Sequence, residues 1–408
     1  MHLDLPGRAA AHRVSPRRRR WGAGALAACA ALAVAGCGSS SAGGSGGSSA
    51  STTGSGTSTS SSSNPGLAHA DAVVAKYRRP ITTYSPPTTP VKHVAKLKGK
   101  TVMYIPLINA IPAFQITAGS LKTALSKVGV KVQDCNGGAN PTTVAACVAQ
   151  AKSQRMNGII TDAIPYELAG TAFASATAAG IPVLIADQYP EKRSGGGKLA
   201  YQPGNVNQPT LIADWIIADS KGKGNAIVGE EADSPSSIAY VQKGLVPEFK
   251  KYCSGCKVTI DKMTQSAPDQ IASAVNSSLI KDPGVQYYYT EFEDDLQGVL
   301  QGVQQAGKTT GLKVEAATAT IAGLQKMKAG QSVAGEVGDD VNYEGWADAD
   351  EILRMMAGQP VVKENIPERL FDSTNINSIT LTPAAQAAGV WYGNPKKFET
   401  GFEKLWGV

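Results

Sequence analysis

Six cysteines and four histidines are the side chains of widest chemical range in this 408-residue chain, and neither set is arranged for catalysis. His69 and His93 lie outside the regular body of the chain. There is no GxSxG nucleophile elbow, no Walker A loop and no compelling metal-ligand cluster. Scattered carboxylates do not make a glycosidase unless an acid and a base flank one bond. The expectation is a protein that is not an enzyme and uses no cofactor and no metal. What remains is binding chemistry, carried by polar and aromatic residues that follow apolar runs. Asp187 follows the run Pro182 to Ala186, where a carboxylate can accept from two vicinal hydroxyls or cap its own loop. Gln188 and Tyr189 add an amide and an aromatic edge beside it. Asn109 either bonds a solute hydroxyl or caps a turn, and Phe114 either stacks on the apolar face of a sugar or packs at a helix start.

The elements that must position these residues begin after a long preamble. Arg17 to Arg20 precede the small, apolar stretch Trp21 to Gly36, too short with such flanks for a membrane span. Val34-Ala35-Gly36-Cys37 then resembles the lipobox of bacterial lipoproteins. That resemblance implies a signal peptide over 1–36 and a mature chain that starts at Cys37, held by lipid on the extracytoplasmic face of a bacterial cell membrane. The arginines leave the route of export open. Residues 37–66 are almost all Gly, Ser and Thr, a composition that cannot repay the entropy of folding and reads as a flexible tether. Cleavage before Cys37 removes six arginines and Asp4, taking the formal charge from +6 to +1, so the basic balance implies no nucleic-acid partner. Cys135, Cys147, Cys253 and Cys256 remain for an oxidising compartment. Counting allows three pairings. Cys135–Cys147, from a strand end to the next helix, and Cys253–Cys256, around a short turn, are the favoured ones.

From residue 98 the pattern alternates. Apolar runs at 100–107, 130–133, 158–161 and 182–186 read as buried strands, with helix-period segments at 113–128, 141–156 and 166–179 between them. A second series starts after Gly204-Asn205-Val206-Asn207. Its strands are expected at 225–229, 257–260, 285–290, 312–316 and 332–337. Its helices are expected at 209–218, 236–252, 270–280, 294–306 and 325–329. A helix at 343–357 returns to the first series, and 371–379 crosses once more. The fold class is therefore α/β, with two doubly wound parallel-sheet lobes. Residues 67–97 form an N-terminal extension, a short helix followed by a Pro-rich connector. The N-terminal lobe takes 98–203 with 338–373, and the C-terminal lobe and tail take 204–337 with 374–408.

The run Gly99 to Leu107, Gly158-Ile159-Ile160, Ala179-Gly180-Ile181-Pro182-Val183, Asp282 to Gln286, Ala306-Gly307-Lys308 and Met356 to Pro360 together resemble type I periplasmic binding proteins, most closely the ribose-binding-like branch. Their order over residues 98 to 375 carries the likeness. It implies that the two lobes are joined by a three-strand hinge, with crossings near 201–205, 336–340 and 372–377, and that a ligand cleft lies between them. Its functional implication is solute capture for the permease subunits of an ABC importer by a monomeric domain, the solute being a sugar, polyol or related small polar molecule. A surface receptor that presents its closed form to a sensor protein is the alternative. On the same likeness Asp187 matches the family's ligand aspartate, while Gln188 stands in place of its arginine. Tyr240 or Gln242 replaces a second arginine. Phe292 and Glu293 fall at an asparagine and an aspartate position, Thr318 near another aspartate, and Glu336 near the hinge glutamine. The implied cleft has more aromatic area and fewer paired donors than a ribose site.

Overall fold

The computed structural model describes residues 64–192, 196–264, 267–393 and 398–408. Cys37, the signal segment 1–36 and the tether as far as residue 63 lie outside them. No helix among the described residues is long and apolar enough to cross a membrane.

The first sheet is built from β1 (Thr101–Pro106), β2 (Lys131–Asp134), β3 (Gly158–Asp162), β4 (Val183–Ala186) and β5 (Leu199–Gln202). All are parallel, in the order β2-β1-β3-β4-β5. Strands covered on both faces need apolar residues at every position, which is why β1, β3 and β4 read as continuous runs. The period of two sorts them. Val102, Tyr104, Ile160 and Leu184 face one core with the helices Pro112–Ser126 and Val341–Met356. Met103, Ile105, Ile159 and Val183 face the other, with helices Pro141–Ser153 and Tyr166–Ala178. The third of these helices starts where Asn140 accepts from the amides of Thr142 and Thr143 and Pro141 supplies a preset first turn.

The second sheet repeats the winding. It contains β6 (Asn225–Glu231), β7 (Lys257–Met263), β8 (Tyr287–Thr290), β9 (Lys313–Ala316), β10 (Val333–Asp339) and β11 (Glu368–Asp372). The order is β11-β10-β9-β8-β6-β7, parallel except for the antiparallel β10–β11 pair. Strand order reverses between β1 and β3 in one lobe and between β6 and β8 in the other, so each sheet opens a crevice at its carboxyl edge. The tyrosines of β8 alternate across the sheet: Tyr288 packs in one core and Tyr287 and Tyr289 in its opposite.

Several expectations are corrected. The strand β5 was not anticipated; only its fourth residue, Gln202, is buried. The last hinge strand is 368–372 rather than 371–379, and it belongs to the second sheet although 338–373 was assigned to the first lobe. The crossing into it therefore comes at Pro367, before 372–377, where the Pro367 carbonyl accepts from the Asp340 amide at 2.8 Å and ties two crossings together. The helix expected over 236–252 is interrupted by a π-helical turn at Tyr240–Leu245. Pro247 has no amide hydrogen to offer the carbonyl four residues back, and a widened turn accommodates it.

The tail 374–408 also divides. Ile376, Ile379, Trp391 and Tyr392 join the second core, whereas Phe398, Phe402, Leu405 and Trp406 join the first, where Trp406 stacks on Trp346 at 5.5 Å. The N-terminal extension runs the opposite way. Helix Pro65–Tyr77 packs on the second-lobe helices Gln208–Asp219 and Val246–Tyr252, and Tyr84, Val91, Val94 and Leu97 enter the first core. Where the two ends meet, the Ile81 amide donates to the Tyr392 carbonyl at 2.7 Å. Arg78 bonds Asp372, and the Tyr84 hydroxyl donates to Asp340 at 2.9 Å. Cys135 is bonded to Cys147 and Cys253 to Cys256, with Cα separations of 5.8 and 5.3 Å.

Phe398 is wholly buried among Tyr84, Tyr343, Trp346 and Phe402. Phe398→Ala should cost about 3–5 kcal/mol in urea unfolding of the protein. A loss below about 1 kcal/mol would show that the tail does not belong to the first core.

Candidate functional site

The carboxyl ends of the strands carry most of the polar residues that the lobes bury between them. β3 ends at Asp162 and β4 delivers Asp187, whose φ of 57° lies in the left-handed region. Its amide is held by the Gln202 carbonyl at 2.9 Å, which pins this conformation where the chain turns out of the sheet. Thr318, two residues beyond β9, has the same φ of 57°, a costly state for a β-branched residue. It is fixed by its amide, which donates to Gln208 at 2.7 Å, and by its hydroxyl, which accepts from the Glu293 amide at 3.2 Å. Gln208 in turn donates to Asp339 at 2.9 Å. One glutamine thus links a strand end of the second lobe to the hinge.

Direct bonds join the lobes. The Tyr240 hydroxyl, presented by the π-helical turn, lies 2.5 Å from the Asp187 carbonyl and 2.7 Å from the Asn205 side chain. Ser236 donates to the Gln188 side chain at 2.9 Å. The rings of Tyr189 and Tyr240 are 5.5 Å apart, Phe292 lies edge-on to Tyr240 at 6.3 Å, and Lys243 sits over Tyr189 at 5.6 Å. A cavity of about 300 Å³ opens beside them, lined from one lobe by Tyr166, Gln188 and Tyr189 and from the other by Pro235, Gln242 and Lys243. Asp187, Gln188, Tyr189, Tyr240 and Phe292 are therefore brought together.

The other expected residues lie apart from this group. Asn109 and Phe114 line a separate pocket of about 320 Å³ against Tyr104 and Asp134 in the first lobe. Glu293 binds the Thr318 loop through its amide, and Glu336 is buried against Gly323, where a Cβ would come within 1.9 Å of its carboxylate.

Behind the Tyr240 bridge lies a group that was not anticipated. Asp162, Asp187, Glu344 and Asp348 are each 6 % exposed or less. Glu344 and Asp348 stand one turn apart on the helix Val341–Met356. Asp162, Asp187 and Glu344 bring one oxygen each within 4.8 Å of one another, a spacing that could also hold a metal ion. Tyr104 donates to Asp162. Opposite Asp162 Oδ1, Asp187 Oδ1, Glu344 Oε1, Asp339 Oδ2 and both oxygens of Asp348 no donor stands among the described residues, and the Gln202 amide is unbonded. Gly204 closes over them; a Cβ there would fall 2.0 Å from Asp187 Oδ1 and 3.0 Å from Glu344 Oε1. A second trio, His69, Asp214 and Glu248, has metal-like spacing at the joint between the N-terminal helix and the second lobe.

Desolvation governs the protonation of the acids. Burial pushes Asp162 and Asp339 up to about 6 each. It raises Asp187 well above the ordinary range, and the charges of Asp162 and Asp339 raise it further. Glu344 and Asp348 are raised for the same reason. Burial takes Glu291 and Glu368 to about 8 and Glu231, which faces Asp295, to about 9.

Residues 103–360 match the family model described as a periplasmic binding protein domain. No curated protein sequence matches the chain. Among solved structures, a glucose-galactose binding protein from Geobacillus stearothermophilus superposes with a TM-score of 0.61 at 17% identity, covering 68% of this chain and 99% of its own. A myo-inositol binding protein from Caulobacter, bound to myo-inositol, gives 0.59 at 19% identity over 72% and 98%. A 5-methylthioribose transporter solute binding protein from Thermotoga lettingae, in complex with that sugar, gives 0.60 at 15% identity over 78% and 99%. At these identities the likeness establishes the fold of two lobes around a cleft.

The raised carboxyls set the sign of the pH response. A folded state that keeps protons which the unfolded chain releases is favoured most below the ordinary carboxylate range, and that advantage is lost as pH rises through about 6 to 9. The melting temperature of the ligand-free protein should therefore fall between pH 5 and pH 8. A rise over that interval would contradict the burial of these acids.

Proposed function

We propose, from the premise that the chain belongs to the periplasmic binding protein family, that it captures a sugar, polyol or related small polar solute outside the cytoplasm and delivers it to an ABC importer. The observation that carries this reading is the pair of bonds across the cleft, from Tyr240 to the Asp187 carbonyl and from Ser236 to Gln188, with unbonded polar oxygens enclosed behind them. Residues of two lobes meet beside carboxyl oxygens that have hydrogen-bonding capacity left over. A solute that fills that capacity favours closure because it touches both lobes only when they are shut.

The proteins of known structure named above support the solute class, since their own ligands are a methylthio sugar, a cyclitol and hexoses. Lipidation at Cys37 and a tether ending before Asn64, where the helix Pro65–Tyr77 is capped, would keep the domain at the membrane, within reach of permease subunits. No step of this role needs a bond to be broken, and the residues at the cleft are assigned to binding alone: Asp187, Gln188, Tyr189, Tyr240 and Phe292 around the mouth, with Asn109, Phe114, Glu293, Thr318 and Glu336 set farther from it. Asp187 accepts, the aromatic rings cover apolar faces, and Thr318 holds the loop that carries Glu293 in place.

Thermal unfolding against a panel of sugars, polyols, amino acids and aromatic acids tests the reading. A ligand at one hundred times its Kd stabilises the folded state by about 2.7 kcal/mol. A sugar or polyol should raise the melting temperature selectively, and Tyr240→Ala should weaken that ligand at least tenfold by removing the bridge. A shift given only by amino or aromatic acids would discard the sugar and polyol class. No response to any solute would discard capture itself.

A further inference from the structure

Resting on the reading of the cleft as a solute site, we propose that the solute is a cation: an amino sugar or amino polyol whose protonated nitrogen is seated against Asp187 and Glu344, with Asp162 behind them and Asp339 across the cleft. A neutral sugar hydroxyl donates one hydrogen and accepts others, so a site for neutral sugars must supply donors as well as acceptors. Here the open positions belong almost entirely to carboxyls that lie buried beside one another and keep protons in the ligand-free state, protons that a bound cation would displace to leave acceptors. Asp162 Oδ1, Asp187 Oδ1, Glu344 Oε1, Asp339 Oδ2 and the two oxygens of Asp348 have no donor opposite them, and the one unbonded donor of the group is the Gln202 amide. An ammonium group donates three hydrogens and accepts none, which is the complement of such a wall.

Charge points the same way. The charged groups acting on Asp187 are Asp162, Asp339 and Asp348, with Glu344 bonded to it, and no lysine or arginine is among them. Lys243 stays at the mouth over the Tyr189 ring. Arg369, on the hinge strand, spends its guanidinium on the carbonyls of Arg78 and Trp391. Carboxylates in a dry site repel each other and must take up protons or a cation. The oxygens of Asp162, Asp187 and Glu344 converge to within 4.8 Å of one another, with Gly204 packed directly against the last two.

A matched panel decides the matter. Glucosamine, galactosamine, mannosamine and glucamine are titrated calorimetrically into the purified full-length protein at pH 6.5, each beside its neutral parent and, for the three sugars, its N-acetyl form. At least one amine should bind ten times or more tighter than its parent, with the N-acetyl form resembling the parent. Equal affinity for amine and parent would overturn the charge and leave solute capture standing. Silence from both series would overturn both. Stabilisation by calcium or zinc chloride alone, abolished by a chelator and unaffected by amines, would make the trio of carboxylates a metal site and overturn the proposal.

Glu344→Gln gives the second readout. Removing an uncompensated buried acid should leave the ligand-free melting temperature unchanged or higher, and should shrink the amine-to-parent affinity ratio at least tenfold. An equal loss for amine and parent would make Glu344 a merely structural residue and overturn its place in the site.

Discussion

A carboxylate cannot leave water without a proton, a cation or a set of donors to replace its hydration. The arrangement of this molecule turns on that constraint. The two sheets aim their carboxyl edges at each other, and those edges end in Asp162, Asp187, Glu231, Glu291 and Asp339, all buried. Donors do come to some of them. Tyr104 serves Asp162, Gln208 serves Asp339 and Tyr289 serves Glu291. Asp187 is left facing the charges of Asp162 and Asp339, and Glu231 faces Asp295. Closure brings these groups together and also makes their repulsion strongest, so the shut state is the one most in need of something between them.

The fold was legible because its physics is local and repetitive. Strands buried on both faces must be apolar throughout, helices must present one stripe, and their alternation leaves few topologies. What escaped notice has equally plain causes. β5 is a four-residue edge strand with three half-exposed positions, so its composition resembles that of a loop. β11 begins with Glu368 and Arg369, charged residues that are buried because the hinge and both chain ends cover them. The aromatic residues of the tail signalled docking, but Trp391 and Trp406 are equally suited to either lobe. Only the assembled cores distinguish them.

The candidate site was legible in part. Asp187 and Tyr189 stand directly after an apolar strand, where position alone suggests exposure to a cleft. Tyr240 followed from the family likeness, while the π-helical turn that aims it depends on Pro247 seven residues on. Glu344 and Asp348 could not have been found by pattern. Acids one turn apart on a helix ordinarily mark its wet face, and on the helix Val341–Met356 the same spacing marks a dry one. Nearly the whole of that helix is buried, because the helix Pro112–Ser126, β3 and the tail enclose it. Gln188 was expected as a weak substitute for an arginine. It instead spends its oxygen on Ser236 of the other lobe.

The N-terminal helix has a mechanical consequence. It follows whatever precedes Asn64 and lies on the second lobe, with Gly66 tight against the Tyr252 carbonyl and His69 stacked on the Tyr252 ring at 3.7 Å. A pull transmitted along the chain from the N-terminal side therefore reaches the second lobe before the first. Were the chain held from its N-terminal side, that lobe would be the stationary arm and the first lobe the swinging one, as in a clamp bolted by one jaw. The strap from Arg78 to Tyr84 crosses beside the pivot, where a given rotation produces the least displacement, so the clamp can work without unseating its bolt.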